Sequence, residues 1–290
     1  MPTPRKGAYR RRQITRLRRA YTTTRAYARS MTPSVDGMLP DIVIIGSQRG
    51  GTTSLFRYLS VHPQIVTPRS KELNALSLHF DKGEAWYRGH FQAPAAGMQA
   101  VEASPLYLVD PRVPQRAATR LPNAQFVALL RNPVDRAYSH YLNNLEYGFE
   151  DLPFVDALAA EPTRLAEARR LGMDSRRGIE LFRNSSYVLR GKYTPQIERW
   201  RQHVPPSRLT VLRSEDFFAD PKLLFDQLLE RFSLDPFADL TFRPVNHWDD
   251  DSQTQLTPTV RRQLEHEFAI SNAGLATLVG WSGTWSALNA

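Results

Sequence analysis

The chain has no cysteine, and that absence excludes disulfides, thiolate nucleophiles and cysteine-ligated metals together. Oxidising and reducing compartments are both chemically tolerable to it. Its seven histidines are scattered and none forms a close pair at ligand spacing, so no metal site is expected. Acidic residues are missing from residues 1–30, which hold nine arginines and one lysine. That segment therefore carries +10 of a net charge of +9, and the remaining chain sums to −1. A basic surface wrapped around RNA or DNA is not written into so neutral a domain, and no nucleic-acid partner is expected.

The basic leader lacks the apolar segment that a secretory signal places after its positive residues. Nowhere does the chain offer an uncharged stretch long enough to cross a bilayer. These features predict a cytoplasmic protein, with residues 1–30 available for peripheral contact with an anionic membrane or for life as a solvated tail. The proline and glycine cluster from Pro33 to Pro40 reads as a linker. The expected organisation is a leader over residues 1–32, a linker over 33–40 and one domain over 41–286.

Within that domain, apolar strands alternate with amphipathic helices. "DIVIIG" reads as a buried strand, and Thr52 to Leu59 opens a helix with Leu55 and Leu59 on one face. "GMQAVEAS" is a weaker strand and "AQFVALLRNP" a clear one, followed by a helix with Ala137, Tyr141 and Leu145 on one face. "SRLTVLRSEDF" supplies another strand, and "DPKLLFDQLLERF" another helix carrying Leu224, Leu228 and Phe232. The alternation predicts an α/β fold, a mostly parallel central sheet flanked by helices. Residues 152–191 are charged, arginine-rich and broken by glycines, and read as a crossover or lid with short helical patches. Near the C-terminus, Leu264, Phe268, Leu275 and Leu278 form one apolar helix pattern ahead of Trp281 and Trp285, two tryptophans that suit core closure.

The chemistry concentrates in "IIGSQRGGTTSLF". Glycines permit close backbone approach, exposed amides accept an anion, and the helix that follows adds its N-terminal dipole. Gly46, Arg49, Gly50, Gly51, Thr52 and Thr53 thus form a candidate loop for phosphate or sulfate. The spacing approaches that of a nucleoside-triphosphate loop, but the loop's cation is an arginine, Arg49, that comes earlier than the pattern's lysine. "VALLRNP" ends in Arg131 where a magnesium-holding strand would end in aspartate. A dinucleotide fingerprint is absent as well. Two arginines at the ends of two strands suit an anion charged at two places, one end met by Arg49 and the loop amides, the other by Arg131 with Ser139. Arg131 taken alone could equally be a strand-end salt bridge. A nucleotide kinase or NTPase with an altered loop, and a non-enzymatic polyanion- or membrane-binding protein acting through its leader, stand as alternatives.

The ordered set of motifs resembles the sulfotransferases that use 3′-phosphoadenosine 5′-phosphosulfate, in particular the branch related to heparan sulfate sulfotransferases, from Pro40 to Trp285. "GSQRGGTTSL" is similar to that family's 5′-phosphosulfate loop, and "LRNPVDRAYSHY" to its 3′-phosphate motif, whose arginine and serine fall on Arg131 and Ser139. "GKYTPQIERW" with "LTVLRSEDFFADP" resembles a later, chiefly architectural signature. The resemblance implies a P-loop-like sulfotransferase fold and metal-free transfer of a sulfuryl group to an acceptor on a carbohydrate, lipid or small molecule, releasing 3′,5′-bisphosphoadenosine. It implies cofactor contacts from Arg49, Gly50, Gly51, Thr52, Thr53, Arg131 and Ser139, with Arg49 also catalytic. "SKELNAL" places Lys71 and Glu72 where the heparan-type relatives carry a Lys-Glu pair, which makes Glu72 the implied base and Lys71 an acceptor-side residue. His62 is its rival, since another branch uses a histidine base, although a place at the end of a helix explains it more simply. "VEASPLY" is similar to an acceptor-lining segment, which brings in Glu102 and Ser104, but Ala103 stands where the heparan-type enzymes commonly carry lysine. The basic glycine-containing loop that commonly covers adenine is missing; Asp249 to Asp251 stand there, and Arg183 to Lys192 is an alternative cover.

Overall fold

The computed structural model describes residues 37–93, 95–238, 240–242, 256–283 and 285. The expected leader and the acidic run at Asp249–Asp251 lie outside these residues. The chain opens with β1 (Ile42–Gly46), α1 (Thr52–Ser60), β2 (Ile65–Val66), α2 (Gly83–Arg88) and β3 (Gln99–Ala103). It continues through α3 (Val113–Arg120), β4 (Gln125–Leu130), α4 (Pro133–Tyr147), α5 (Phe154–Leu171), α6 (Arg176–Ser185) and α7 (Tyr193–Arg201). β5 (Leu209–Arg213), α8 (Ser214–Ala219), α9 (Pro221–Arg231), α10 (Pro258–Ser271) and α11 (Leu275–Val279) follow.

The five strands form one sheet in the order β2-β3-β1-β4-β5, every neighbouring pair parallel. β1 is buried along its whole length, as a central strand covered on both faces must be. Alternate side chains supply the two cores. Val43, Ile45, Phe126, Ala128 and Leu130 pack toward α7 residues Tyr193, Ile197 and Trp200; Ile42, Ile44, Val127 and Leu129 pack toward α1 and α9. After β1 the chain crosses to β2 and β3 on one side, and after β4 it crosses to β5 on the other. The carboxyl ends of β1 and β4 are adjacent, Gly46 pairing with Ala128, so the order reverses at the place where α/β sheets open a crevice for ligands.

Three local expectations change. Residues 152–191 form two full helices, α5 and α6, rather than short patches. The buried stripe of α5 runs Phe154, Ala157, Glu161, Leu165 and Ala168, and the glutamate in its middle disguises a helical period. That carboxylate is retained because the Val188 and Leu189 N–H groups donate to it at 2.7 and 2.8 Å. The C-terminal pattern divides into α10 and α11 at Asn272–Gly274, where Gly274 takes a φ of +78°. The packed unit also includes part of the proposed linker, since Met38 lies in the core beside Val43. Trp285 is buried in that same core, and its indole N–H donates to Glu215 Oε2 at 2.8 Å.

Candidate active site

The turn after β1 is fastened to β4 from beneath. The Ser47 N–H and Oγ both donate to the Leu129 carbonyl, each at 2.8 Å, and Ser214 Oγ donates to the Gly50 carbonyl at 2.6 Å. A Cβ at Gly50 would lie 2.4 Å from the Leu129 carbonyl oxygen, a backbone atom unable to move aside. Gly51 has a φ of +94° and caps α1 without a side chain, so the first-turn amides receive no side-chain cap, and the Ser54 N–H turns back to the Gly51 carbonyl at 3.0 Å. Arg49 also adopts a left-handed conformation, φ +70°, a strained choice for a residue with a side chain. Gly50→Ala is expected to fold with a displaced loop and to lose at least about 10-fold in affinity for 3′,5′-bisphosphoadenosine, since a shift of the cradle by several tenths of an ångström removes well-aligned donors. Calorimetric titration checks it, and parental affinity would place the anion elsewhere.

At the end of β4, Asn132 caps its own helix by accepting from the Val134 and Asp135 N–H groups at 3.0 and 3.4 Å. Ser139 follows on α4 and is nearly buried. Arg49 Nε donates to Ser139 Oγ at 3.0 Å across ninety positions of sequence. The two anion motifs therefore meet at one point. Burial lowers the Arg49 guanidinium from its ordinary value, and the nearby Arg131 charge lowers it further. Cations pressed together in this way suit a ligand carrying negative charge at two places.

On the opposite side of the loop, Lys71 Nζ donates to Thr53 Oγ1 at 2.6 Å. Burial lowers the Lys71 ammonium, against the favourable charge of Glu72. Glu72 and Asn74 both hold positive φ, +60° and +53°. Glu72 is partly exposed, and its Oε2 stands 3.7 Å from Arg183 Nη2. Sequence reasoning placed Arg183 only within a segment that could cover adenine; in the fold it reaches Glu72 from the last turns of α6. Arg190 lies behind it, fully buried and lowered by that burial and by Arg136 and Arg183. Arg136, itself buried, donates to the Tyr187 carbonyl. Arg136 is the single arginine of α4 and carries no signal of its own in the sequence, whereas Arg190 falls in the arginine-rich stretch that holds Arg176, Arg177 and Arg183.

His62 is buried and engaged at both ring nitrogens. Nδ1 accepts from the Gln64 N–H at 3.2 Å and Nε2 meets the Asp235 carbonyl at 2.9 Å. A proton on Nε2 satisfies both contacts and leaves no lone pair for a base. Glu102 and Ser104 lie beneath the site with no exposed surface. Ser104 Oγ donates to Glu102 Oε1 at 2.6 Å, so the structure gives these two residues to the interior rather than to a surface an acceptor could touch. Among the described residues, no group of three or more histidine, aspartate or glutamate side chains is placed to hold a metal ion, and no helix is long and apolar enough to cross a membrane.

The Sulfotransferase domain family model matches residues 39–234, more than half of the chain. The chain belongs to the sulfotransferase family. This sulfotransferase is 28% identical to human bifunctional heparan sulfate N-deacetylase/N-sulfotransferase 3 over 66% of its own length and 22% of the relative's. It is 28% identical to human heparan sulfate glucosamine 3-O-sulfotransferase 3B1 over 63% of its length and 43% of the relative's. Membrane-associated sulfotransferase kil1 of Dictyostelium discoideum is 25% identical over 85% of this chain and 66% of that one. The sulfotransferase thus spans less than half the length of the human relatives it matches. The crystal structure of a sulfotransferase from Alicyclobacillus acidocaldarius superposes with a TM-score of 0.70 at 26% identity, covering 87% of this chain and all of that one. Membership makes the protein a sulfotransferase enzyme and displaces the kinase and non-enzymatic alternatives.

Proposed function

We propose that this sulfotransferase takes the sulfuryl group of 3′-phosphoadenosine 5′-phosphosulfate to a hydroxyl on a carbohydrate, glycolipid or small metabolite, leaving 3′,5′-bisphosphoadenosine. The observation that carries the donor half is the Arg49–Ser139 hydrogen bond, which joins the two anion motifs at the sheet's reversal point. The bared helix start and the close approach at Gly50 fit a phosphate or sulfate group. In this reading Arg49, Gly50, Gly51, Thr52 and Thr53 hold the phosphosulfate end, and Arg131 with Ser139 the 3′-phosphate.

When bound, the donor supplies an activated sulfuryl group; the chain's task is to place charge and move one proton. Arg49 offers a guanidinium fork where the leaving phosphate gains negative charge. Thr52 and Thr53 add hydroxyl and amide donors, and Lys71, bonded to Thr53, brings a second positive charge to the junction of loop and acceptor. Glu72 faces that junction and takes the proton of the acceptor hydroxyl. The heparan sulfate relatives support a carbohydrate acceptor. Ala103, with no cation at that position, and the engagement of Glu102 and Ser104 inside the protein leave acceptor recognition to Lys71, Glu72 and the neighbouring Arg183.

The donor site is tested by titrating the chain with 3′,5′-bisphosphoadenosine and, in parallel, with ADP and magnesium. Binding of the bisphosphate without metal, weakened by about 10-fold or more in Arg131→Ala as a charged hydrogen-bond partner is lost, is the expected result. Preference for ADP with magnesium, or an unaffected Arg131→Ala variant, would overturn the donor assignment. A panel of carbohydrate, glycolipid and small hydroxyl compounds with the radiolabelled donor then identifies the acceptor.

A further inference from the structure

Glu102 belongs to no surface, yet it sits at the centre of the best-connected polar cluster near the site. Its carboxylate accepts from three hydroxyls: Tyr87 OH, Ser104 Oγ at 2.6 Å and Tyr107 OH at 2.8 Å, the last two both on Oε1. A hydroxyl that donates to a carboxylate keeps its lone pairs for a further partner. Ser104 Oγ accepts the Asn74 N–H at 3.0 Å, and Tyr107 OH accepts the Leu76 N–H at 3.1 Å. Those amides belong to the loop that carries Glu72. The same loop is tied by the Glu72 N–H to the Ala103 carbonyl at 3.1 Å and by Asn74 Nδ2 to the Glu72 carbonyl at 2.8 Å.

We infer that Glu102, through Ser104 and Tyr107, is a positioning device that holds the Glu72 loop in its left-handed course and so aims the Glu72 carboxylate beside Lys71 and Arg183. The inference rests on the reading of Glu72 as the base. Positive φ at two non-glycine residues of one loop, Glu72 and Asn74, costs energy and persists only where the surroundings over-determine it. Here the determinants are hydroxyls whose direction is set by one buried negative charge. Burial raises the Glu102 carboxyl from its ordinary value while the three hydroxyls oppose that rise. The charged groups facing the loop are Lys71 on the loop itself, Arg183 from α6, Arg190 just beyond it, and Arg116 from α3, which donates to the Leu76 and Ser77 carbonyls at 3.0 and 3.2 Å.

The cluster contains its own control. Tyr87 donates to Glu102 as the others do and also meets the Tyr107 hydroxyl, but no amide of the Glu72 loop donates to its own hydroxyl. A merely structural cluster would respond alike to loss of any hydroxyl; a positioning cluster would not. Ser104→Ala, Tyr107→Phe and Tyr87→Phe are compared by thermal midpoint, by titration with 3′,5′-bisphosphoadenosine, and by the rate of carbodiimide labelling at Glu72 located by peptide mass. All three variants are expected to bind the bisphosphate as the parent does. Glu72 labelling should rise roughly 5-fold in Ser104→Ala and in Tyr107→Phe, the factor that one net hydrogen bond supports, and remain parental in Tyr87→Phe. On the acceptor the parent sulfates, kcat should fall about 10-fold in the first two variants with the donor KM unchanged. Equal labelling and equal kcat across the three would overturn the inference while leaving the base assignment in place. Failure of the base assignment itself is separate, because it appears as undiminished turnover in Glu72→Gln.

Discussion

Arg49→Ala is expected to cut sulfuryl transfer by about 10²–10³-fold, the usual consequence of removing one preorganised donor from developing negative charge. The side chain is no ordinary surface arginine. It leaves a left-handed backbone position, is lowered by burial and by Arg131, and is steadied by Ser139. Holding a guanidinium under those conditions is unfavourable until an anion arrives, so removing it should cost no folding stability. The thermal midpoint of the variant is accordingly expected at or above the parent's. Arg49→Lys should restore charge without the planar fork and recover only part of the rate. Steady-state kinetics and a melting curve check both statements, and near-parental turnover in Arg49→Ala would remove this residue from the chemistry.

The parallel sheet and its order of elements were legible because strands buried on both faces are continuously apolar, as β1 and β4 are, and because each is followed by an amphipathic helix. The loop after β1 was legible for a different reason: glycine, hydroxyl and cation types in a row have few structural uses. What remained hidden is instructive. α5 was obscured by Glu161, a charge in an otherwise apolar stripe whose two hydrogen-bond donors come from residues 188 and 189. β2 has only two residues, too few for a period. The nearly neutral charge beyond residue 30 gave no hint that Arg136 lies within electrostatic reach of Arg49 on one side and of Arg190 on the other, with Arg131 beside Arg49 and Arg183 beside Arg190. Net charge sums over the surface, whereas a site depends on sorting, and sorting is a property of the fold. Glu102 and Ser104 were singled out by a motif that does lie at the site, but the motif could not tell a residue that faces the cleft from one that supports it from behind.

That distinction gives the second large effect its meaning. Glu72→Gln is expected to lower kcat by about 10²–10⁴-fold, the range supplied by a positioned base, while binding of 3′,5′-bisphosphoadenosine stays parental. The substitution is unusually clean here. The loop is held through the Glu72 N–H and carbonyl and through the Asn74 and Leu76 amides, none of which the change touches, and glutamine keeps the side chain's size. Its amide accepts no proton near neutral pH and cannot pair with Arg183 as a charge. No neighbour is placed to take over, since His62 is occupied at both nitrogens and Glu102 is sealed below by three hydroxyls. A loss of rate with intact bisphosphate binding would therefore report the proton transfer itself. Undiminished kcat would mean that the acceptor needs no base from this loop, and the left-handed course of Glu72 and Asn74 would then have to be explained by acceptor binding alone.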